Sequence, residues 1–254
     1  MLRQPGQRLR EQLEIHVTGL FFYIGGALVV AWVIALAEWI LLWIGRPTGP
    51  QLPTIMAISL TVIAAVGFRR WFRRAKALAR GERGERLVAH ILDELAEHGY
   101  RAIHDVPVKL DDGRDVNIDH VLIGPAGVFA IETKFRSGNP QVQYNGKRIL
   151  VEGREEDRDA LSQARASAAS TREIIERVTG RTGRVRAVVL YANCRVTTRS
   201  GADEWVLAPT QLKAWIKQEE RWNGPKGAIL DRESINACAR AIESHVIYTA
   251  AQAN

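Results

Sequence analysis

Residues 117–135 read NIDHVLIGPAGVFAIETKF. Two runs rich in β-branched residues flank GPAG, a turn-forming cluster, so the stretch predicts strands over Val116–Ile123 and Val128–Phe135 joined as an antiparallel hairpin. Three charges, Asp119, Glu132 and Lys134, interrupt what should be core. A turn of two or four residues centred between Pro125 and Ala126 sets Asp119 opposite Glu132. Directly opposed side chains on one face have β-carbons about 4.5–5.5 Å apart, where like charges repel. The two-residue period puts Lys134 on the face of Glu132, with Ile131, Thr133 and Phe135 on the other. Two carboxylates and an amine on one face suit a hard divalent cation, which takes oxygen ligands and can hold water and a phosphate. A solvated sheet face on which Lys134 offsets the two acids accommodates the same pattern.

Outward from the hairpin, Leu87, Val88, Ile91, Leu92 and Leu95 recur at helical spacing over Gly81–Gly99, with Gly99 as a stop. A strand follows over Tyr100–Val108, bounded by the DDG turn. Val142–Val151 reads as a second hairpin turning at Asn145-Gly146. Next come a polar helix over Glu156–Val178, a buried strand in RVRAVVLYAN, extended segments in VTTRSGADEWVLA, and helices over Pro209–Lys217 and Ser234–Tyr248. This order predicts an α/β fold with a mixed central sheet flanked by helices.

The first third differs in kind. The net charge of +7 lies entirely in residues 1–80, with ten Lys or Arg against three Asp or Glu; residues 81–254 hold twenty-five of each. A broadly basic nucleic-acid face on the later part is therefore not implied. Gly19–Ile44 is an apolar run long enough at about 1.5 Å per residue to cross about 30 Å of hydrocarbon, and Leu52–Phe68, after a short link, is a second and shorter run near the lower length limit. The pair predicts a transmembrane hairpin over residues 1–80 rather than a cleaved signal. Arg3, Arg8 and Arg10 precede it and Arg69, Arg70, Arg73, Arg74, Lys76 and Arg80 follow, while the link holds one basic residue. The cytoplasmic bias of Lys and Arg puts both termini and residues 81–254 in the cytoplasm, at the plasma or inner membrane. Trp39, Trp43 and Trp71 fit interfacial belts. Glu38, near the end of its run, reads as an interfacial residue rather than a transport carboxylate. Cys194 and Cys238 have no metal-ligand spacing and read as reduced thiols.

With GERGERLVAHIL at 81–92, NIDHVLIGPAGVFAIETKFRSG at 117–138 and Gln163, the sequence resembles the nuclease-related domain family, a branch of the PD-(D/E)XK restriction-endonuclease-like superfamily, over about residues 81–195. The resemblance implies Asp119 and Glu132 as ligands of Mg²⁺ (or Mn²⁺), Lys134 as the group assisting water or the transition state, Glu85 as a further metal-supporting carboxylate, and Gln163 in a polar supporting role. Where the family pattern has Asn-Pro shortly before that glutamine, this chain has Asp159-Ala160. Glu82 and Asp115 are second choices for the acidic roles. Arg136, Lys147, Arg148 and Arg165 are candidates for phosphate contacts, and His120 reads as structural on the opposite face.

The expectation is a membrane-anchored, metal-dependent nuclease acting on nucleic acid, DNA before RNA. The alternative is a non-catalytic nucleic-acid-binding or scaffold module held at the membrane.

Overall fold

The computed structural model describes residues 7–47, 49–109, 115–156, 160–181, 183–198, 204–223 and 230–252. The DDG turn and Arg3 fall outside them. Contacts divide the chain into two compact units, one of them Arg8–Ala79 and the other with Arg80–Asn254 as its body.

In the first unit, helix α1 (Gln7–Trp43) and the beginning of α2 (Gln51–Asp93) lie against each other where side chains are small. Ala35 and Ala57 are buried, and small residues let two helices approach closely. Two cross-links tie the pair: the indole of Trp32 donates to Thr61 Oγ1 (3.0 Å) and that of Trp39 to Thr54 Oγ1 (2.9 Å). Val29, Val33, Leu36, Ile55, Val62 and Ile63 point outward. Both helices are long and apolar enough, by length and composition, to cross a membrane.

The sequence predicts a helix beginning at Gly81, but α2 continues from the apolar run without a break. Arg, Lys and Ala dominate residues 69–80 and favour helix. Gly81 and Gly84 cost about 1 kcal/mol each and cannot end a helix so flanked. The stop comes where expected: α2 gives way to a 3-10 turn (Glu94–His98), and Gly99 adopts the left-handed conformation at φ +81°, which glycine tolerates.

The second unit is built on a five-stranded sheet in the order β1 (Arg101–Lys109), β2 (Asp115–Gly124), β3 (Gly127–Phe135), β7 (Val185–Ala192), β9 (Trp205–Leu207). The first three strands run antiparallel, and β7 and β9 join parallel to β3, so the sheet is mixed. A second sheet, absent from the sequence reading, aligns β6 (Arg154–Glu155), β5 (Ile149–Val151), β4 (Gln141–Tyr144) and β8 (Arg195–Thr198). Its β4–β5 hairpin is the one predicted at Asn145-Gly146, with a four-residue loop in which Asn145 Oδ1 accepts the N–H of both Lys147 and Arg148 at 2.9 Å.

Both faces of the main sheet are covered. Helices α3 (Ala160–Thr179) and α5 (Arg232–Gln252) bury one face together with Val121, Ile123, Ala130 and Val189. The end of α2 and helix α4 (Leu212–Asn223) supply Val88, Leu92, Leu212 and Ile216 to a second core with Leu122, Phe129 and Ile131.

Candidate functional site

The register of β2 against β3 is the predicted one. His120 pairs with Ile131 and Val121 with Ala130, down to Gly124 with Gly127, so Pro125-Ala126 is a two-residue loop. The ladder stops one step short of Asp119 and Glu132. There the Asp119 carboxylate intervenes, its Oδ2 accepting the Thr133 backbone N–H at 2.7 Å. The strict two-residue alternation also breaks at this point. On β1 the residues in the core shared with α3 and α5 change from Ile103 to Val106 and Val108, and on β2 from Val121 and Ile123 to Ile118. At the break on β1 stands Asp105, with φ +53°, a conformation uncommon for a non-glycine residue. It lies between the pairs His104–His120 and Val106–Ile118, which sets it across from Asp119.

Lys134 is held from two sides. Its Nζ donates to Glu132 Oε1 at 2.7 Å and to Gln163 Oε1 on α3 at 2.6 Å. The side chains of Lys134 and Glu132 are 20% and 13% exposed, so the contact is shielded enough to outweigh an ordinary surface pair. Gln163 itself is exposed and acts through this hydrogen bond.

Glu85 reaches the same region from α2. Its neighbour Gly84 makes this possible: a β-carbon there would stand 3.0 Å from Phe135 Cβ, so the helix rests directly on β3. Burial, then the charges of Asp105, Glu132 and Glu82, push the Glu85 carboxyl up to about 7, with Lys134 opposing. Asp119 is likewise held well above the usual carboxylate range, first by burial and then by Glu132 and Glu85, against the Thr133 hydrogen bond and Lys134. Five carboxylates thus share one neighbourhood in which Lys134 is the cation acting on both Glu85 and Asp119; Glu82 also pairs with Arg86. The hard oxygen donors and the mutual repulsion among them fit a divalent cation. Among the described residues no three acidic, His or Cys side chains already converge as a ligand set, so cation binding requires rotamer adjustment, including at Glu132, whose Oε1 is engaged by Lys134.

Asp105 was not singled out by the sequence reading. The available signal was the one that marked Asp119, a charge inside an otherwise apolar strand, here IHDVPV. Glu82, a second choice from sequence, is buried and belongs to the cluster. The side chain of Asp115 and residue Asp159 lie outside the described residues.

The basic residues expected at phosphates are mostly engaged elsewhere: Arg136 with Glu156, Arg148 with Glu155 (3.3 Å) and Arg165 with Glu204 (2.6 Å). Lys147 is exposed on the β4–β5 loop. His120 is fully buried, its Nδ1 2.8 Å from His104 Nδ1; burial and the neighbouring His104 hold it well below the usual histidine range. Cys194 and Cys238 are free, and burial pushes the Cys194 thiol up to about 11.

The raised Glu85 pKa has a sign that can be measured. An unfolded chain releases this proton near 4.5 and the folded one near 7; between these values the folded state binds more protons. The contribution of Glu85 is therefore most favourable below pH 4.5, and stability falls as pH rises through 7, by on the order of 2 kcal/mol. Denaturant unfolding without divalent cations is expected to show the metal-free domain losing stability between pH 5 and pH 8. Glu85→Gln removes the Glu85 share of that slope and leaves the share due to Asp119, which is raised as well. An unchanged slope in the variant would place the carboxyl in an ordinary solvated setting.

Residues 80–192 match the family model described as nuclease-related domain. Among curated proteins, an uncharacterized Bacillus anthracis protein is 39% identical over 59 residues, which is 23% of this chain and 28% of that protein. The chain thus matches less than a third of that relative's length. No solved structure matches the chain.

Proposed function

Because residues 80–192 belong to the nuclease-related domain family, whose fold is restriction-endonuclease-like, we propose that this chain is a membrane-anchored, divalent-metal-dependent hydrolase of phosphodiester bonds in nucleic acid, DNA or RNA. The observation that carries the reading is the shared neighbourhood of Asp119, Glu132 and Glu85, each acting electrostatically on the others, with Lys134 bonded to Glu132 at 2.7 Å. Asp119 and Glu132, with Glu85 in support, would hold Mg²⁺ or Mn²⁺, which supplies Lewis-acid polarisation of the phosphate and a more acidic water.

The chain's own groups do the rest. Thr133 N–H fixes the Asp119 carboxylate against β3. Lys134, oriented by Gln163, presents a cation where negative charge builds on the phosphate oxygens, the kind of stabilisation that gains most in a shielded site. Cation-dependent cleavage by the full-length protein, compared with Asp119→Ala and Lys134→Ala, tests this reading. Equal activity in all three overturns it.

Two outward-facing apolar helices support the anchor. The charge bias supports a topology with both termini and the domain in the cytoplasm. Gly49→Cys in the link is expected to react with a membrane-impermeant maleimide on intact cells, while Cys194 and Cys238 react only after lysis. The opposite pattern reverses the topology.

A second reading is a non-catalytic nucleic-acid-binding or scaffold module held at the membrane. Its scaffold form is favoured by the balanced charge of residues 81–254 and by the pairing of Arg136, Arg148 and Arg165 with acids, since strong binding to a phosphate backbone draws on available basic groups. Salt-dependent binding without cleavage would select it.

A further inference from the structure

Beside the carboxylate cluster runs a chain of three side chains that the proposed chemistry does not use. His104 of β1 and His120 of β2 meet edge to face, their ring centroids 5.0 Å apart and Nδ1 2.8 Å from Nδ1. On its far side His104 Nε2 stands 3.3 Å from Oδ1 of Asp93, the last residue of α2. His120 is fully buried, the His104 side chain is 11% exposed, and Asp93 reaches solvent.

Two ring nitrogens this close share one proton, so one ring donates and the other accepts. The Asp93 carboxylate only accepts, which puts the His104 proton at Nε2 and leaves a lone pair at its Nδ1. His120 therefore donates from Nδ1. Its Nε2 is buried and meets no hydrogen-bond partner among the described residues, which excludes the imidazolium form, whose second N–H would be a charged donor left unsatisfied. The bonds thus run one way, from His120 to His104 to Asp93. His104–His120 is also the last rung of the β1–β2 ladder before it resumes at Val106–Ile118. The step between holds Asp105 and Asp119. A buried, directed bond fixes both backbones where Asp119 departs from the ladder, and Asp93 lies about two helical turns beyond Glu85 on α2. The chain ties the helix that carries Glu85 to the strand that carries Asp119.

We propose that Asp93, His104 and His120 are positioning residues, a hydrogen-bonded chain that holds Asp119 in place for the cation, a role that rests on the cation reading above. The test is Mn²⁺ titration of the full-length protein in detergent, followed by loss of the free-ion electron paramagnetic resonance signal, with ¹⁵N histidine spectra of the same samples to read the tautomers. Wild type is expected to bind Mn²⁺, with His120 protonated at Nδ1 and His104 at Nε2. His104→Phe keeps a ring but removes the acceptor, and is expected to weaken Mn²⁺ binding about tenfold or more, the scale on which groups outside the coordination shell act on a metal. His104→Asn, whose Oδ1 takes the place of Nδ1, is expected to regain most of that affinity. Asp93→Ala, at an exposed position, is expected to weaken Mn²⁺ about threefold, the share of one exposed hydrogen bond, and to release the His104 proton from Nε2; it decides alone should His104→Phe unfold. Mn²⁺ affinity unchanged in Asp93→Ala, equal losses in His104→Phe and His104→Asn, or a proton on His120 Nε2 in the wild type overturns the proposal. Absence of Mn²⁺ binding by the wild type overturns the cation reading and this proposal with it.

Discussion

Asp119→Asn and Lys134→Ala in the full-length protein are each expected to lower cation-dependent phosphodiester cleavage by about 10²–10³, the scale on which preorganised charge at a reacting centre acts. Asparagine is the informative replacement at 119. It keeps an oxygen able to accept the Thr133 N–H at the 2.7 Å now seen while removing the charge that a cation needs, so a loss of activity reports on chemistry rather than on the strand junction. Lys134→Ala removes the ammonium shared by Glu132 and Gln163 and leaves the acids with less compensation, so its unfolding should become more sensitive to rising pH. Gln163→Ala, which only loosens the ammonium, should cost about tenfold or less. The measurement is initial cleavage rate at saturating Mg²⁺ or Mn²⁺, alongside unfolding curves. Wild-type rates in Asp119→Asn would remove the carboxylate from the mechanism.

Gly124→Ala is expected to be the most destabilising small substitution in the domain, by about 3 kcal/mol or more, the upper range for overpacking a core. A β-carbon at 124 would stand 2.0 Å from Tyr100 Cδ1 and 2.3 Å from Cε1. The ring cannot swing aside cheaply. It is buried, its hydroxyl donates to Glu220 at 2.6 Å, and the same oxygen accepts the Ala126 N–H at 3.1 Å. Tyr100 therefore ties the GPAG turn to α4 across the space that glycine leaves open. Denaturant midpoints of Gly124→Ala, Tyr100→Ala and the double variant form a cycle. The glycine substitution should cost little once the ring is gone, and additive losses would show that the ring is not the obstacle. Gly183→Ala, where a β-carbon meets nothing within 4 Å, serves as the neutral comparison.

The parts legible in sequence were those governed by local pattern. The hairpin register followed from GPAG and the flanking β-branched runs, because a one-residue slip would turn Leu122, Phe129 and Ile131 out of the core they now fill. The boundaries of β3 and β7 fell close to their pattern, whereas α4 runs six residues beyond the end expected at Lys217 and α5 four beyond the end expected at Tyr248. The continuous α2 was missed because its glycines read locally as breakers while the strength of the flanking helix formers acts over many residues. The second sheet was missed because β6 has two residues, β5 three, and β4 and β8 four each, too short to show a period; their parallel β4–β8 contact joins residues more than fifty positions apart.

By itself, the sequence determined which residues alternate, which helices are apolar, and that Asp119, Glu132 and Lys134 fall within one hairpin, since each follows from spacing along a chain with fixed strand and helix repeats. Only the tertiary structure decided which further charges join them. Asp105 enters because its backbone turns over opposite Asp119, Glu85 because Gly84 lets α2 lie against β3, and Gln163 because α3 packs beside Lys134. These depend on the close approach of elements distant in sequence, and electrostatic coupling is set by separation in space and by burial rather than by spacing along the chain.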